Sequence, residues 1–84
     1  MNGGYAGDVQ KLILEVAKAL VDHPDEVEVD ASQEGETLVL ELSVAEHDMG
    51  RVIGRAGRTA KALRTLLSAC SARAGKRYQL EILE

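Results

Sequence analysis

Residues 48–64, DMGRVIGRAGRTAKALR, hold the side chains with the clearest capacity for chemistry, and that chemistry is the binding of an anion. The stretch contains three glycines and five basic residues, which are Arg51, Arg55, Arg58, Lys61 and Arg64. Gly54 and Gly57 frame a Gly-x-x-Gly tetrapeptide inside a pattern that otherwise predicts helix. Two glycines let the chain turn sharply and let another backbone come close, because they lack Cβ. The helix that begins near Gly57 offers N–H groups and a positive dipole end, which suit a phosphate.

Two better-known phosphate motifs do not fit this stretch. The Walker loop needs G-x-x-x-x-G-K-[ST], and no Gly-Lys pair at that spacing is followed by a hydroxyl residue. The dinucleotide fingerprint needs G-x-G-x-x-G after a strand, whereas these glycines follow a predicted helix. What remains is a close-approach site for a sugar–phosphate backbone. Its flanking cations, Arg55, Arg58 and Lys61, would add affinity that is independent of sequence.

The charge of the chain is divided between two segments, although the total is only −4. Residues 1–48 carry twelve acidic residues and two lysines, whereas residues 49–80 carry eight basic residues and no acidic one. An anionic partner responds to the charge within a Debye length of about 10 Å and not to the total. The acidic total therefore does not exclude nucleic acid, and the basic segment indicates where it would bind.

Composition argues against several other classes of function. Tyr5 and Tyr78 are the only aromatic residues, which disfavours a recognition surface of stacked rings. Cys70 is a lone cysteine, and His23 and His47 lack metal-ligand spacing, so we expect no disulfide, metal or cofactor. No catalytic triad or paired-carboxylate site emerges, so we expect no enzymatic activity. No apolar run approaches the roughly 20 residues that span a bilayer, and the N-terminus is no secretory signal, so we expect a cytoplasmic protein without membrane insertion.

Hydrophobic periodicity predicts one α+β domain of residues 8–84 behind a flexible segment of residues 1–7. The predicted elements in chain order are a helix from Asp8 to residue 22 or 23, strands at 26–31 and 37–44, helices at 46–53 and 57–74, and a strand at 76–83. This α-β-β-α-α-β order predicts a three-stranded sheet with three helices on one face.

Alternation within the strands predicts which side chains face the helices. On the first strand these are Val27, Val29 and Ala31, and on the second they are Leu38, Leu40, Leu42 and Val44. Val39 falls on the opposite face. Asp8 is the predicted N-cap of the first helix, and Gly75 is the predicted C-cap of the last one.

The segment VIGRAGRTAKALRTLL resembles the signature of a KH domain, and the element order resembles the type II form of that fold. Together with LVDHPDEVEVD, it resembles the small stand-alone KH-domain RNA-binding proteins of bacteria, the KhpA family. The resemblance implies single-stranded RNA binding, with the loop clamping the backbone of about four nucleotides. It further implies that the residues Gly54, Arg55, Ala56 and Gly57 hold phosphates, that Arg58 and Lys61 contact the backbone, and that Val52 and Ile53 form the floor of a groove or the core beneath it.

Such a protein would act as an RNA chaperone or a post-transcriptional regulator. A small module gains affinity by pairing, so we expect a homodimer or a heterodimer with another KH-domain RNA-binding protein. The alternative is a protein–protein adaptor that keeps a KH scaffold but binds little RNA. Direct RNA contact by the remaining basic residues stays open at this point: Arg51, Arg64, Arg73, Lys76 and Arg77.

Overall fold

The structure is a computed structural model that describes the backbone of residues 3–83 and the side chains of residues 7–83. Its elements are α1 (Gly3–Leu20), β1 (Glu28–Glu34), β2 (Thr37–Ser43), α2 (Met49–Ile53), α3 (Arg58–Ala74) and β3 (Arg77–Ile82). Short 3-10 turns lie at Pro24–Glu26, Glu46–Asp48 and Arg55–Gly57. The predicted α-β-β-α-α-β order is confirmed.

The three strands form one mixed sheet in the order β1-β2-β3. The strand β2 is central, antiparallel to β1 and parallel to β3. Its residue Leu40 lies opposite Ala31 on one side and Leu80 on the other. The helices α1 and α3 pack on the face that carries Leu40, so the predicted α+β arrangement with the helices on one face is confirmed.

One cluster of buried side chains joins the helices to the sheet. Its members are Val9, Ile13, Ala17, Val27, Val29, Leu38, Leu40, Leu42, Val52, Leu63, Leu67 and Leu80. All are aliphatic, because the chain has almost no aromatic residues to fill the core. Cys70 packs against this cluster, as its position on the apolar face of α3 predicts. No helix within residues 3–83 is both long enough and apolar enough to cross a membrane.

The first helix differs from the prediction at both ends. It starts at Gly3, so Asp8 lies within the helix and is not its N-cap. The helix therefore includes Gly3, Gly4 and Gly7, although glycine is a poor helix former. Residues 1 and 2 of the predicted flexible segment lie outside the described residues. The helix ends at Leu20, earlier than predicted. The N–H groups of Asp22 and His23 donate instead to the carboxylate of Asp48.

The hairpin also differs in detail. The strand β1 continues to Glu34, because the turn is a tight two-residue loop in which Gly35 has a φ of 62°. The sequence predicts that Ala31 is buried, but it is exposed, because the helix layer covers β1 only near Val29. There Gln10 Nε2 donates a hydrogen bond to the carbonyl of Val29. Val39 faces away from the helices but is only 4% exposed. Gly75 ends α3 with a φ of 66°, which confirms the predicted C-cap.

Candidate nucleic-acid interface

The Gly-x-x-Gly motif forms a tight connection between α2 and α3, which we call the GxxG loop (residues 54–57). Gly54 ends α2, and its N–H donates to the carbonyl of Gly50 at 2.8 Å. The N–H of Gly57 then donates to the carbonyl of Gly54 at 3.1 Å. These two hydrogen bonds close the turn between the two helices.

Gly54 is required for two separate reasons. Its φ of 78° and ψ of 169° fall in a region that only glycine adopts readily. A Cβ placed there would lie 2.7 Å from Thr59 Cβ and 2.8 Å from Thr59 N. The first turn of α3 therefore packs directly on the α-carbon of Gly54.

The next residues wind the backbone through the left-handed region. Ala56 has a φ of 56° and is the one non-glycine residue with positive φ within residues 3–83. Gly57 follows with a φ of 73°, and a Cβ on it would meet no atom within 4 Å. The open side of Gly57 leaves room for an incoming backbone, which is the property that the sequence predicts for this position.

Three cations surround the loop and stay available to a ligand. Arg55, Arg58 and Lys61 are exposed, and none of them takes part in an ion pair among residues 7–83. The N-cap position of α3 is occupied by Gly57, which has no side chain to bond the first N–H groups of the helix. The positive end of the helix dipole and the three side chains therefore add their fields at one place.

The apolar residues beside the loop have different surroundings. Val52 is fully buried in the core cluster. It therefore lies in the core beneath the groove and not on the floor of the groove. Ile53 is half-buried and is the apolar side chain that stays partly accessible at the end of α2. Ala60 is 5% exposed, on the inner side of α3.

The other basic residues are distributed unequally. Arg51 is engaged within the protein, with its Nη2 3.0 Å from Asp22 Oδ2. Arg64 is exposed on α3. Lys76 and Arg77 line a cavity of about 370 Å³ at the far end of α3, which is 17 residues or roughly 25 Å long. They are therefore far from the GxxG loop along the helix axis.

Sequence reasoning missed a polar contact at the other end of α2. Asp48 is 1% exposed, and its carboxylate accepts the N–H of Asp22 at 3.2 Å and the N–H of His23 at 2.9 Å. The ring Nδ1 of His23 lies 2.9 Å from the same carboxylate. The partners are about 25 residues apart, so no local spacing could reveal this contact. The one available signal is an aspartate that directly precedes an apolar helix.

The contact changes how both side chains titrate. Burial acts to raise the pKa of Asp48, but hydrogen bonds from the His23 ring and from the N–H groups of Asp22 and His23 outweigh it and lower the pKa. The hydrogen bond and the charge of Asp48 raise the pKa of His23, and the charges of Glu26 and Asp22 add to this effect. The pair is therefore ionised over a wider range of pH than either group alone.

The described part of the chain offers no metal centre, since it contains no group of three or more His, Cys, Asp or Glu side chains that could hold an ion. His47 is exposed. The arrangement of charges and open backbone at the GxxG loop suits binding of a polyanion and not covalent chemistry.

A mixed three-stranded sheet covered by three helices, with a GxxG loop between the second and third helix, defines a type II KH domain. The chain belongs to the KhpA/KhpB family of KH domains, whose model matches residues 10–82. The sequence resemblance to this family is thereby confirmed.

Curated relatives cover nearly the whole chain. A protein of Borreliella burgdorferi is 46% identical over 80 residues, which are 95% of this chain and 96% of the relative. One of Listeria monocytogenes is 46% identical over 76 residues, covering 90% of this chain and all of the relative. One of Caldanaerobacter subterraneus is 47% identical over 73 residues, covering 87% of this chain and 97% of the relative. All three bear the name RNA-binding protein KhpA.

Two solved structures share the fold at low identity. Era of Aquifex aeolicus superposes with a TM-score of 0.61 at 20% identity, over 88% of this chain and 29% of Era. Era in complex with MgGDPNP and nucleotides of 16S ribosomal RNA gives a TM-score of 0.57 at 21% identity, over 88% of this chain and 28% of that one. The chain thus spans less than a third of Era, and the likeness concerns the fold alone.

Proposed function

We propose that this protein binds single-stranded RNA by clamping the sugar–phosphate backbone against the GxxG loop, and that it has no catalytic activity. The relatives named as RNA-binding proteins support the ligand class. The geometry of the loop supports the mode of binding. Since the ligand is RNA, we place the protein in the cytoplasm, in the role of an RNA chaperone or a post-transcriptional regulator.

One observation carries the proposal. The loop combines an open α-carbon at Gly57 with three exposed cations that no acidic side chain among residues 7–83 neutralises. Arg51, by contrast, lies one turn of helix before the loop and is paired with Asp22. An adaptor that had lost RNA binding would have no use for free arginines arranged around an accessible backbone.

The proposed roles follow the positions of the residues. The open backbone of Gly54, Arg55, Ala56 and Gly57 receives the phosphates. Arg58 and Lys61 extend the contact along α3, and Ile53 supplies apolar surface to a base, with Val52 supporting it from the core. Such contacts recognise the backbone and not the base edges, so sequence preference is expected to be weak.

A single module with about three phosphate contacts binds weakly, so we propose that the protein works as a homodimer or together with a second KH-domain RNA-binding protein. Two linked modules bind far more tightly than one, because the second contact becomes intramolecular. Sedimentation of the protein at several concentrations tests the homodimer.

The decisive experiment reverses the charge of the loop without unfolding it. We expect the double variant Arg55→Asp/Ala56→Asp to lose measurable binding of a fluorescein-labelled single-stranded RNA decamer in an anisotropy titration. Aspartate tolerates the left-handed conformation that Ala56 adopts, so the fold should persist. Far-UV circular dichroism checks this.

A matched control carries the same substitutions at the other end of α3. Ala72 and Arg73 are both exposed, and the variant Ala72→Asp/Arg73→Asp changes the net charge by the same amount. We expect it to weaken binding only slightly, through long-range repulsion. Equal losses in the two variants would mean that total charge and not the loop determines binding, whereas unchanged binding in the loop variant would support the adaptor alternative.

A further inference from the structure

Asp48 stands at the N-cap position of α2, yet its carboxylate does not cap that helix. Aspartate is preferred at N-caps because it normally accepts an N–H from the second or third helical residue. Here the side chain instead reaches the end of α1 and accepts the N–H groups of Asp22 and His23. A residue that is typical of a local cap therefore connects two elements that are distant in the sequence.

The helix α2 depends on such contacts for its direction. It has only five residues, or about 1.4 turns, and isolated helices shorter than roughly 12 residues are marginal in water. Val52 anchors its inner face in the core, and Asp48 anchors its start. Because Gly54 directly continues α2, any rotation of α2 about the Val52 contact moves the GxxG loop.

We propose that Asp48 is a positioning residue for the RNA clamp, because its contact with the end of α1 fixes α2 and thereby the GxxG loop. In this proposal His23 makes the contact sensitive to pH. The inference rests on the proposed function, because it assigns these two residues a role in the same binding site. Neither side chain lies in the loop, and neither contacts RNA in this proposal.

The surroundings of His23 explain the direction of the pH effect. The charged groups that face it are Asp48 from the start of α2, Glu26 from the adjacent 3-10 turn and Asp22 from its own segment. Arg51 completes the cluster, with its side chain 3.0 Å from Asp22 and 4.0 Å from Asp48. The three carboxylates favour protonated His23, whose hydrogen bond to Asp48 is charge-assisted. As the pH rises through its pKa, His23 loses this charge and its hold on Asp48 weakens.

The experiment measures RNA affinity against pH in three proteins. The probe is the fluorescein-labelled single-stranded RNA decamer, titrated between pH 6 and pH 8.5 with wild type, His23→Gln and His47→Gln. His47 is the matched control, because it is the only other histidine, lies one residue before Asp48 and is exposed. In wild type we expect the Kd to rise about threefold across this range, since only the charged part of one hydrogen bond is lost. We expect the same rise in His47→Gln and a flat profile in His23→Gln.

A second measurement separates positioning from a general effect on stability. The backbone amide resonances of Gly54 and Gly57 should shift with the titration of His23 in wild-type protein without RNA, and should stay constant in His23→Gln. The variant Asp48→Asn should also abolish both effects. If Asp48→Asn does not fold, the comparison of wild type with His23→Gln tests the positioning role by itself.

The outcomes distinguish this inference from the function on which it rests. A wild-type protein that binds no RNA at any pH overturns the proposed function, and the positioning role falls with it. A wild-type protein that binds RNA, with a rise in Kd that persists in His23→Gln, overturns only the positioning role. Loop amides that titrate identically in wild type and His23→Gln overturn it as well.

Discussion

Gly54 is the residue whose replacement should cost the most stability in the loop, and the reason can be separated into two parts. In Gly54→Ala, a non-glycine residue occupies a φ of 78° and a ψ of 169°, which costs about 1–3 kcal/mol. The new Cβ also lies 2.8 Å from the backbone nitrogen of Thr59, which cannot rotate away, and such overpacking costs about 1–3 kcal/mol more. We therefore expect a loss of about 3 kcal/mol or more in the free energy of unfolding.

Gly57→Ala is the matched control. Its φ of 73° is also positive, but a Cβ there meets nothing within 4 Å. The left-handed conformation costs about 1–2 kcal/mol, and alanine recovers about 0.4–1 kcal/mol by restricting the unfolded chain, so the net loss should be about 1 kcal/mol. Ala56→Gly makes the opposite change at a φ of 56°, so the same two effects should give a net gain of about 1 kcal/mol.

Urea unfolding followed by far-UV circular dichroism measures these differences. With an m-value of about 1 kcal/mol/M, Gly54→Ala should lower the midpoint by about 3 M and Gly57→Ala by about 1 M. A domain of 84 residues has roughly 4–13 kcal/mol of stability in total, so Gly54→Ala can leave the protein largely unfolded at 37 °C.

Equal losses in Gly54→Ala and Gly57→Ala would refute this account, since Gly54 differs from Gly57 both in its ψ, 169° against 14°, and in its contact with Thr59. A double-mutant cycle with Thr59→Gly sharpens the comparison. Removing the side chain of Thr59 should restore part of the stability of Gly54→Ala. The strain from the φ of Gly54 and the contact with the Thr59 nitrogen should remain.

Three further predictions test the charges of the molecule. The slope of log affinity for the RNA decamer against log salt should be about −2, since about three phosphate contacts each contribute roughly 0.7 on a single strand, and a slope near zero would contradict the clamp. The difference in Tm between wild type and His23→Gln should be largest between about pH 4 and pH 6.5. Because the pKa of His23 is raised, the stability that protonated His23 contributes is lost as the pH rises through that pKa. Because the pKa of Asp48 is lowered, the stability that the ion pair contributes is lost in strong acid, when Asp48 is protonated. His47→Gln should show no such difference. Glu41→Gln should raise the free energy of unfolding by about 0.5 kcal/mol in urea unfolding, because Glu41 lies directly opposite both Asp30 and Glu81, and a loss of stability would contradict this account.

The elements and the loop could be predicted because their signals are local. The alternation of Leu38, Leu40 and Leu42 is visible within one strand, and the glycines at 54 and 57 mark the loop by their spacing alone. Backbone conformation at these positions follows from residue type, because only glycine adopts the φ and ψ of Gly54 readily. The segregation of charge is equally local, because it follows from counting acidic and basic residues along the chain.

The features that could not be predicted depend on contacts between distant residues. The end of α1 is fixed by Asp48, which receives the N–H groups of Asp22 and His23 from about 25 positions away. The exposure of Ala31 depends on how far the helix layer reaches across β1, and alternation within the strand carries no information about that. The burial of Val39 depends on the neighbouring strands, which place Ser32 and Gln79 beside it.

The arrangement of charge across the sheet explains why the loop can be the preferred site for RNA in an acidic protein. The outer face of the sheet carries Asp30, Glu41 and Glu81 in one cross-strand row, an arrangement that destabilises the sheet because like charges lie side by side. The exposed cations of the GxxG loop lie in the helix layer, on the other side of the same sheet. We therefore expect an RNA strand to be repelled from the face that the helices leave open and attracted to the loop. One-sided binding of this kind needs no additional residue at the loop itself, because the field of the whole molecule directs the strand there.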